Sequence, residues 1–279
     1  MTPAPFHGGE LEAQERAGGG SPGGNIRDVV IEQHRVFFAQ LPFVVVAGRD
    51  GDGWPLATIL SGAPGFVSAP NPKTLVVATA ADPLDPASPA LVAGAPIGVL
   101  GIELATRRRN RANGVITAVG PDGLRLAVRQ SFGNCPQYIH PRDGYRGPGR
   151  LGAPSRFQGL DADARAAVAR ADTFFVASGN DTDGLDISHR GGPRGFVSID
   201  GDTLVVPDYS GNRYFNTLGN FLREPRAALV VPDFERGGLL HLQGTVAIEW
   251  EGPEVEKLEG AERLWRVKVD RGYRRTRMG

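Results

Sequence analysis

Tyr209 to Arg213 read YSGNR and stand between a strand-like run and a helix-like run. A helix starting there presents unpaired backbone N–H groups and a positive dipole end; Gly211 lets the backbone approach a ligand, and Arg213 adds a two-pronged guanidinium. With Ser210 and Asn212 as neutral donors the set suits a phosphate monoester; the alternative is a polar turn capped by serine or asparagine. Ser188 to Phe196 (SHRGGPRGF) places His189 and Arg190 beside two glycines and a proline. Backbone N–H groups and Arg190 then face a phosphate or an electron-rich ring, or the stretch is a hairpin turn with solvated side chains.

Leu104 to Gly114 (LATRRRNRANG) holds four arginines within five residues. The run reads either as a solvated edge that discourages sheet pairing, or as the source of one or two guanidinium groups from Arg107, Arg109 and Arg111 aimed into a site. Arg129 to Ile139 (RQSFGNCPQYI) groups Ser131, Asn134 and the single cysteine, Cys135, with Phe132 and Tyr138. No histidine or aspartate motif of a thiol enzyme accompanies Cys135, which reads as a small buried residue. There is no Gly-x-Gly-x-x-Gly, Walker-type loop, His-Glu-x-x-His or zinc-spaced Cys/His pair, and no residue is singled out as catalytic or as a metal ligand.

The elements that carry these stretches repeat. Sliding the chain against itself by about 130 residues lays Gln40–Pro55 over Asp172–Asp186, PGFVS (64–68) over RGFVS (194–198), and TLVV at Thr74 over TLVV at Thr203. IGVLGIEL (97–104) then falls on AALVVPDF (227–234), and NGVIT (113–117) on QGTVA (243–247). Co-linear matches at nearly one offset predict a duplicated domain. Each copy consists of short Val, Leu, Ile and Phe runs between Asp-Gly, Asn-Pro and Gly-Asp turns, the pattern of an antiparallel sandwich or small barrel. A helix is predicted before each first strand, over Asp161–Arg170 and within Ile26–Gln40. A further helix follows YSGN, where Phe215, Leu218, Phe221 and Leu222 recur at helical spacing. The first copy has ADPLDPASPA there, whose prolines forbid such a helix.

Lysine plus arginine equal aspartate plus glutamate at 31 each, so no general attraction to nucleic acid or an anionic membrane follows. One cysteine permits no internal disulfide, and no run approaches the roughly 18 apolar residues of a membrane span. A cytoplasmic location is expected. The expected organisation is a mobile leader (1–25) with a short helix over Glu10–Arg16, a degenerate first copy (26–145), a linker (146–160) and a second copy (161–279).

From Phe174 to Glu249, with HRGGPRGF and GN…LGN…EPRAAL as its most specific phrases, the sequence resembles the pyridoxamine 5′-phosphate oxidase-related, FMN-binding split β-barrels. Phe43 to Ile139 resembles the same family more weakly, and QSFGNCPQYI is similar to a phrase of its tandem members. The resemblance implies a mainly β fold, two tandem split β-barrel domains with flanking helices that form an intrachain pseudo-dimer. It also implies FMN in the groove between them, with Arg190, Asn212 and Arg213 at the phosphate. His189, Ser210, Gly211, Ser131 and an arginine among Arg107, Arg109 and Arg111 complete the expected cofactor-binding set. Because the first copy lacks SGNR, one flavin site is expected rather than two. The family's substrate phrase near the C-terminus, built of Trp, Arg and Leu-Pro, is not evident, so an oxidoreductase acting on another small-molecule substrate or electron acceptor is expected. The alternatives are a non-catalytic flavin-binding or sensing module, or a split barrel that takes haem or a deazaflavin, with His189 and His241 as the candidate iron ligands. A homodimer of the two-barrel chain stays open.

Overall fold

The runs FVVVA and FFVA lack the alternation of a strand with one wet face, because both faces of these strands are covered. In a computed structural model, which describes residues 4–278, Val44 and Val46 point into the core of a first barrel. Phe43, Val45 and Ala47 point into an apolar layer shared with the second barrel. Phe174 and Val176 likewise enter the second core, while Phe175 and Ala177 meet the first barrel. Strand alternation thus builds two cores and the seam between them from one sequence pattern.

The first sheet contains β1 (Phe43–Arg49), β2 (Pro55–Ser61), β3 (Val67–Asn71), β4 (Thr74–Val77), β5 (Pro96–Glu103), β6 (Arg108–Gly120) and β7 (Gly123–Gly133), in the order β2-β1-β5-β6-β7-β4-β3. After β8 (Ser155–Gln158), the second contains β9 (Thr173–Asn180), β10 (Gly184–Gly191), β11 (Ser198–Asp200), β12 (Thr203–Tyr209), β13 (Arg226–Pro232), β14 (Leu239–Glu249) and β15 (Ala261–Arg275). Its order, β10-β9-β13-β14-β15-β12-β11, is the same path, and all pairings are antiparallel. The register repeats too. Ala47 pairs with Ala57 and Gly98, and Gly98 with Asn113; Ala177 pairs with Ile187 and Ala228, and Ala228 with Gln243. At Gly98 the barrels touch so closely that a Cβ would lie 2.9 Å from the Leu185 carbonyl oxygen.

The helices are α1 (Gly8–Arg16), α2 (Glu32–Gln40), α3 (Ala162–Arg170), α4 (Asn216–Arg223) and α5 (Pro253–Glu256). Asp161 caps α3 by accepting from the Ala164 N–H at 2.9 Å. Where α4 stands in the second barrel, the proline-rich stretch of the first makes only a 3₁₀ turn, Ser88–Ala90. None of the described helices is long and apolar enough to cross a membrane.

Two expectations are corrected. The leader is docked rather than mobile: Ala13 is fully buried, and α1 crosses α4 where Gly9 faces Gly219 without side chains between them. Just before the helix, Phe6 packs on Phe132 and Tyr214, and such tertiary packing is what a nine-residue helix needs to be stable. The stretch expected as a linker contributes β8, which adds to β15, so the basic C-terminal run is mostly strand rather than tail.

Candidate functional site

Strand β6 projects Arg109 and Arg111, two residues apart, toward the second barrel, and β10 meets them with Asp186, Ser188, His189 and Arg190. A groove opens along this contact, with a clear volume of about 110 Å³. Asn134, Cys135 and Tyr138 line it from the first barrel; the loop after β12 and the start of α4 line it from the second.

Arg111 is only 4% exposed, and both of its terminal nitrogens are engaged. It donates to Asp186 at 2.7 Å, to Ser188 Oγ at 2.7 Å and to Asn216 Oδ1 at 3.1 Å. Asp186 also accepts from Asn113 at 2.7 Å and Asn220 at 2.9 Å, so both oxygens of this buried carboxylate are hydrogen-bonded. Arg190 pairs with Asp208 and lies over the Trp265 ring, and Asp208 is shared with Arg263 at 2.8 Å.

Arg109 differs: among the described residues it has no carboxylate partner. Its guanidinium donates to His189 Nδ1 at 3.0 Å, and burial first, then Arg111 and Arg190, pull its pKa down to about 9. The same causes hold His189 well below its ordinary value, burial first and the Arg109 and Arg190 charges next. His189 is therefore neutral, and because Nδ1 accepts from Arg109 the proton sits on Nε2. Among the described residues that Nε2 is buried without a partner, as are Arg109 Nε, Arg190 Nε and Asn134 Nδ2. A wall of unused donors around one unpaired cation fits an acceptor-rich anion.

Ser210, Gly211 and Asn212 line the groove in an irregular loop, and Asn212 reaches Asn134 at 3.3 Å. The helix starts later than expected, at Asn216, because Arg213 (φ 56°) and Phe215 (φ 58°) both take the left-handed conformation. No side chain caps it, and Asn216 and Thr217 border the groove. The Arg213 guanidinium is given to the leader: it donates to Ala17 O at 2.8 Å and Gly19 O at 2.5 Å. The leader thereby supports the groove loop from behind. His7 Nε2 donates to Asn220 Oδ1 at 2.9 Å, and Asn216 donates to Glu10.

Glu10 is 3% exposed, and burial, followed by repulsion from Asp186, raises its pKa to about 7. A carboxyl whose folded pKa exceeds its ordinary 4.5 stabilises the fold below about pH 4.5, and that contribution is lost as pH rises to about 7. Thermal melts are accordingly expected to fall between pH 5 and pH 8 by an amount equivalent to about 2–3 kcal/mol at most. Glu10→Gln should flatten that slope, and an unchanged slope would contradict the assignment.

Two residues of the expected set lie elsewhere. Arg107 sits in the exposed β5–β6 turn at φ 55°, outside the groove, because only Arg109 and Arg111 occupy the strand positions that face the second barrel. Ser131 is fully buried on β7, its hydroxyl 3.1 Å from His34 Nδ1 and its backbone bridged to Arg27, so it ties the leader's end to the sheet. His241 is also outside the groove. It donates from Nδ1 to Ala57 O at 2.9 Å and stacks on Tyr273 at 4.1 Å. Cys135 is half-exposed at the groove rather than buried. Sequence reasoning missed Asp186, Asp208 and Arg263. Asp186 was findable from its alternation with Ser188 and Arg190, whereas Arg263 comes from a strand with no motif.

The register gives the groove a counterpart on the other side of the seam. Thr58 stands where Ser188 does, and His241 where Arg111 does. There Thr58 donates to Asp85 at 2.5 Å, Arg275 takes Asp82 and Asp85, and Leu56 packs on Ala87 and Ala90. The proline-rich stretch fills the second groove.

A comparison with protein families matches residues 160–275 to the family described as pyridoxamine 5′-phosphate oxidase. The second domain is a pyridoxamine 5′-phosphate oxidase-related split barrel. Several solved structures align to about two-fifths of the chain. HupZ of Group A Streptococcus has 14% identity over 40% of this chain and 90% of that one, with a TM-score of 0.33. A putative pyridoxamine 5′-phosphate oxidase from Lactobacillus delbrueckii has 14% identity over 41% and 93%, TM-score 0.33. An FAD-binding protein from Mesorhizobium loti has 11% identity over 44% and 99%, TM-score 0.30. A comparison with curated proteins finds no match. The pyridoxamine 5′-phosphate oxidase-related match begins just before α3 and ends with β15, so it contains β10, the groove loop and α4 but neither Arg109 nor Arg111.

Proposed function

We propose that the chain binds one flavin, FMN, in the groove between its barrels and works as an oxidoreductase that passes electrons from a reduced nicotinamide or a partner protein to a small acceptor. The observation that carries this reading is Arg109: a half-buried, unpaired guanidinium beside a neutral imidazole, in a wall of unused donors contributed by both barrels. Flavins offer a phosphate and a ring edge rich in acceptors, which such a wall complements. The common strand order and the repeated phrases support descent of the two barrels from one duplicated unit. The filled counterpart groove supports one ligand per chain.

A bound FMN would supply the electron-transfer chemistry. Arg109 and the backbone of Ser210–Asn212 would hold its anionic part. His189 Nε2–H would stand ready as a neutral donor, kept neutral by the two arginines beside it. Arg111 and Asp186 would fix β6 against β10, and Arg213 would hold the loop through the leader.

The test is the absorption spectrum of the purified protein, followed by denaturation and mass determination of what is released. About one FMN per chain is expected, with NADH or NADPH turnover above that of free FMN. A colourless protein that ignores added FMN would remove the flavin reading, and flavin without turnover would leave a binding module.

A further inference from the structure

Beside the groove lies a recess of about 400 Å³, bordered by the β5–β6 turn, the start of α2 and the chain after β7. Arg109 and Asn134 line both, so the two spaces share a wall. Arg107 and Arg108 stand at the recess with exposed side chains, and neither has a carboxylate within ion-pair distance among the described residues; Arg108 lies over the Phe37 ring at 4.8 Å. Asn110 Nδ2, on a residue only 7% exposed, and Asn134 Nδ2 are buried donors without partners. His34, the remaining titratable group, bonds to Ser131 and is kept neutral by burial and by Arg108 and Arg27. Among the described residues, no acidic side chain lines the recess.

We propose that this recess is a second anion subsite that takes a diphosphate, so that groove and recess together accept a dinucleotide-sized ligand. Three guanidinium groups and two amide N–H donors offer only donors, which suits the acceptor oxygens and the charge of a diphosphate. Arg107 occupies a left-handed conformation that an arginine rarely takes, and this places the run's first guanidinium at the recess instead of along the strand. The proposal extends the flavin reading. The diphosphate comes either from the flavin itself, as FAD, or from a nicotinamide dinucleotide that serves as reductant.

The experiment titrates inorganic pyrophosphate into the full chain and into an Arg107→Gly/Arg108→Gln variant. Glycine suits the left-handed turn, and both side chains are exposed, so the fold is retained and is checked by its melt. Pyrophosphate affinity is expected to fall at least about tenfold per lost charge-assisted contact, and to depend on salt, while FMN affinity stays unchanged. A parallel loss for FAD but not for NADPH identifies the flavin's own extension; loss for NADPH alone identifies the reductant. Pyrophosphate affinity equal in the two proteins overturns the subsite. If FMN fails to bind at all but pyrophosphate still depends on the two arginines, the flavin reading falls and the subsite stands.

Discussion

Arg109→Ala should weaken FMN binding by roughly tenfold to a hundredfold, the range for one hydrogen bond to a charged group. The size follows from what Arg109 lacks. Arg111, Arg190 and Arg263 already have Asp186 or Asp208, so an incoming anion must share them, whereas Arg109 has only the neutral imidazole and the backbone carbonyl of His189 among the described residues. Its pKa is pulled down first by burial and then by the charges of Arg111 and Arg190. An anion in the groove relieves that repulsion. Arg109→Lys should recover part of the affinity, because it keeps the charge and loses the fork. Arg213→Ala acts differently: its contacts run to Ala17 and Gly19, so its loss should first loosen the leader. Titration by flavin fluorescence decides. Equal affinity in Arg109→Ala and wild type would refute the assignment.

Gly219→Ala is expected to undock the leader, with a loss of about 1–3 kcal/mol and a melting point lower by roughly 2–4 °C for each kcal/mol. The added Cβ would lie 2.5 Å from Glu10 Cα and 2.6 Å from Glu10 N, against backbone that no rotamer change can clear. Gly9→Ala should do the same from the other side, since its Cβ would strike the Gly219 carbonyl oxygen. Once α1 leaves, Asn216 loses Glu10 and Asn220 loses His7, so the uncapped start of α4 loses its support. Limited proteolysis should then cut near Gly18–Gly20 in the variant and spare the wild type. A leader equally resistant in both would mean that the crossing tolerates the methyl group.

The mainly β fold, the order of its strands in two copies and the helices before each first strand were legible, because alternation, turn residues and helical spacing are local properties. The proline-rich stretch announced its lack of a helix for the same reason. Of the residues singled out for chemistry, His189, Arg190, Ser210–Arg213, Arg109 and Arg111 meet at one groove between the barrels, where the family resemblance implied a site. The remainder depended on distance in the chain. Arg107 and Ser131 look like their neighbours in sequence, and only strand facing and the left-handed turn separate them from Arg109. The leader reads as a spacer because its glycines are permissive, yet Gly9 is needed for contact with Gly219, about two hundred residues away. Which arginines are neutralised was also decided in three dimensions, by Asp186 and Asp208, because the pairing of a buried charge depends on what the fold brings within a few ångströms.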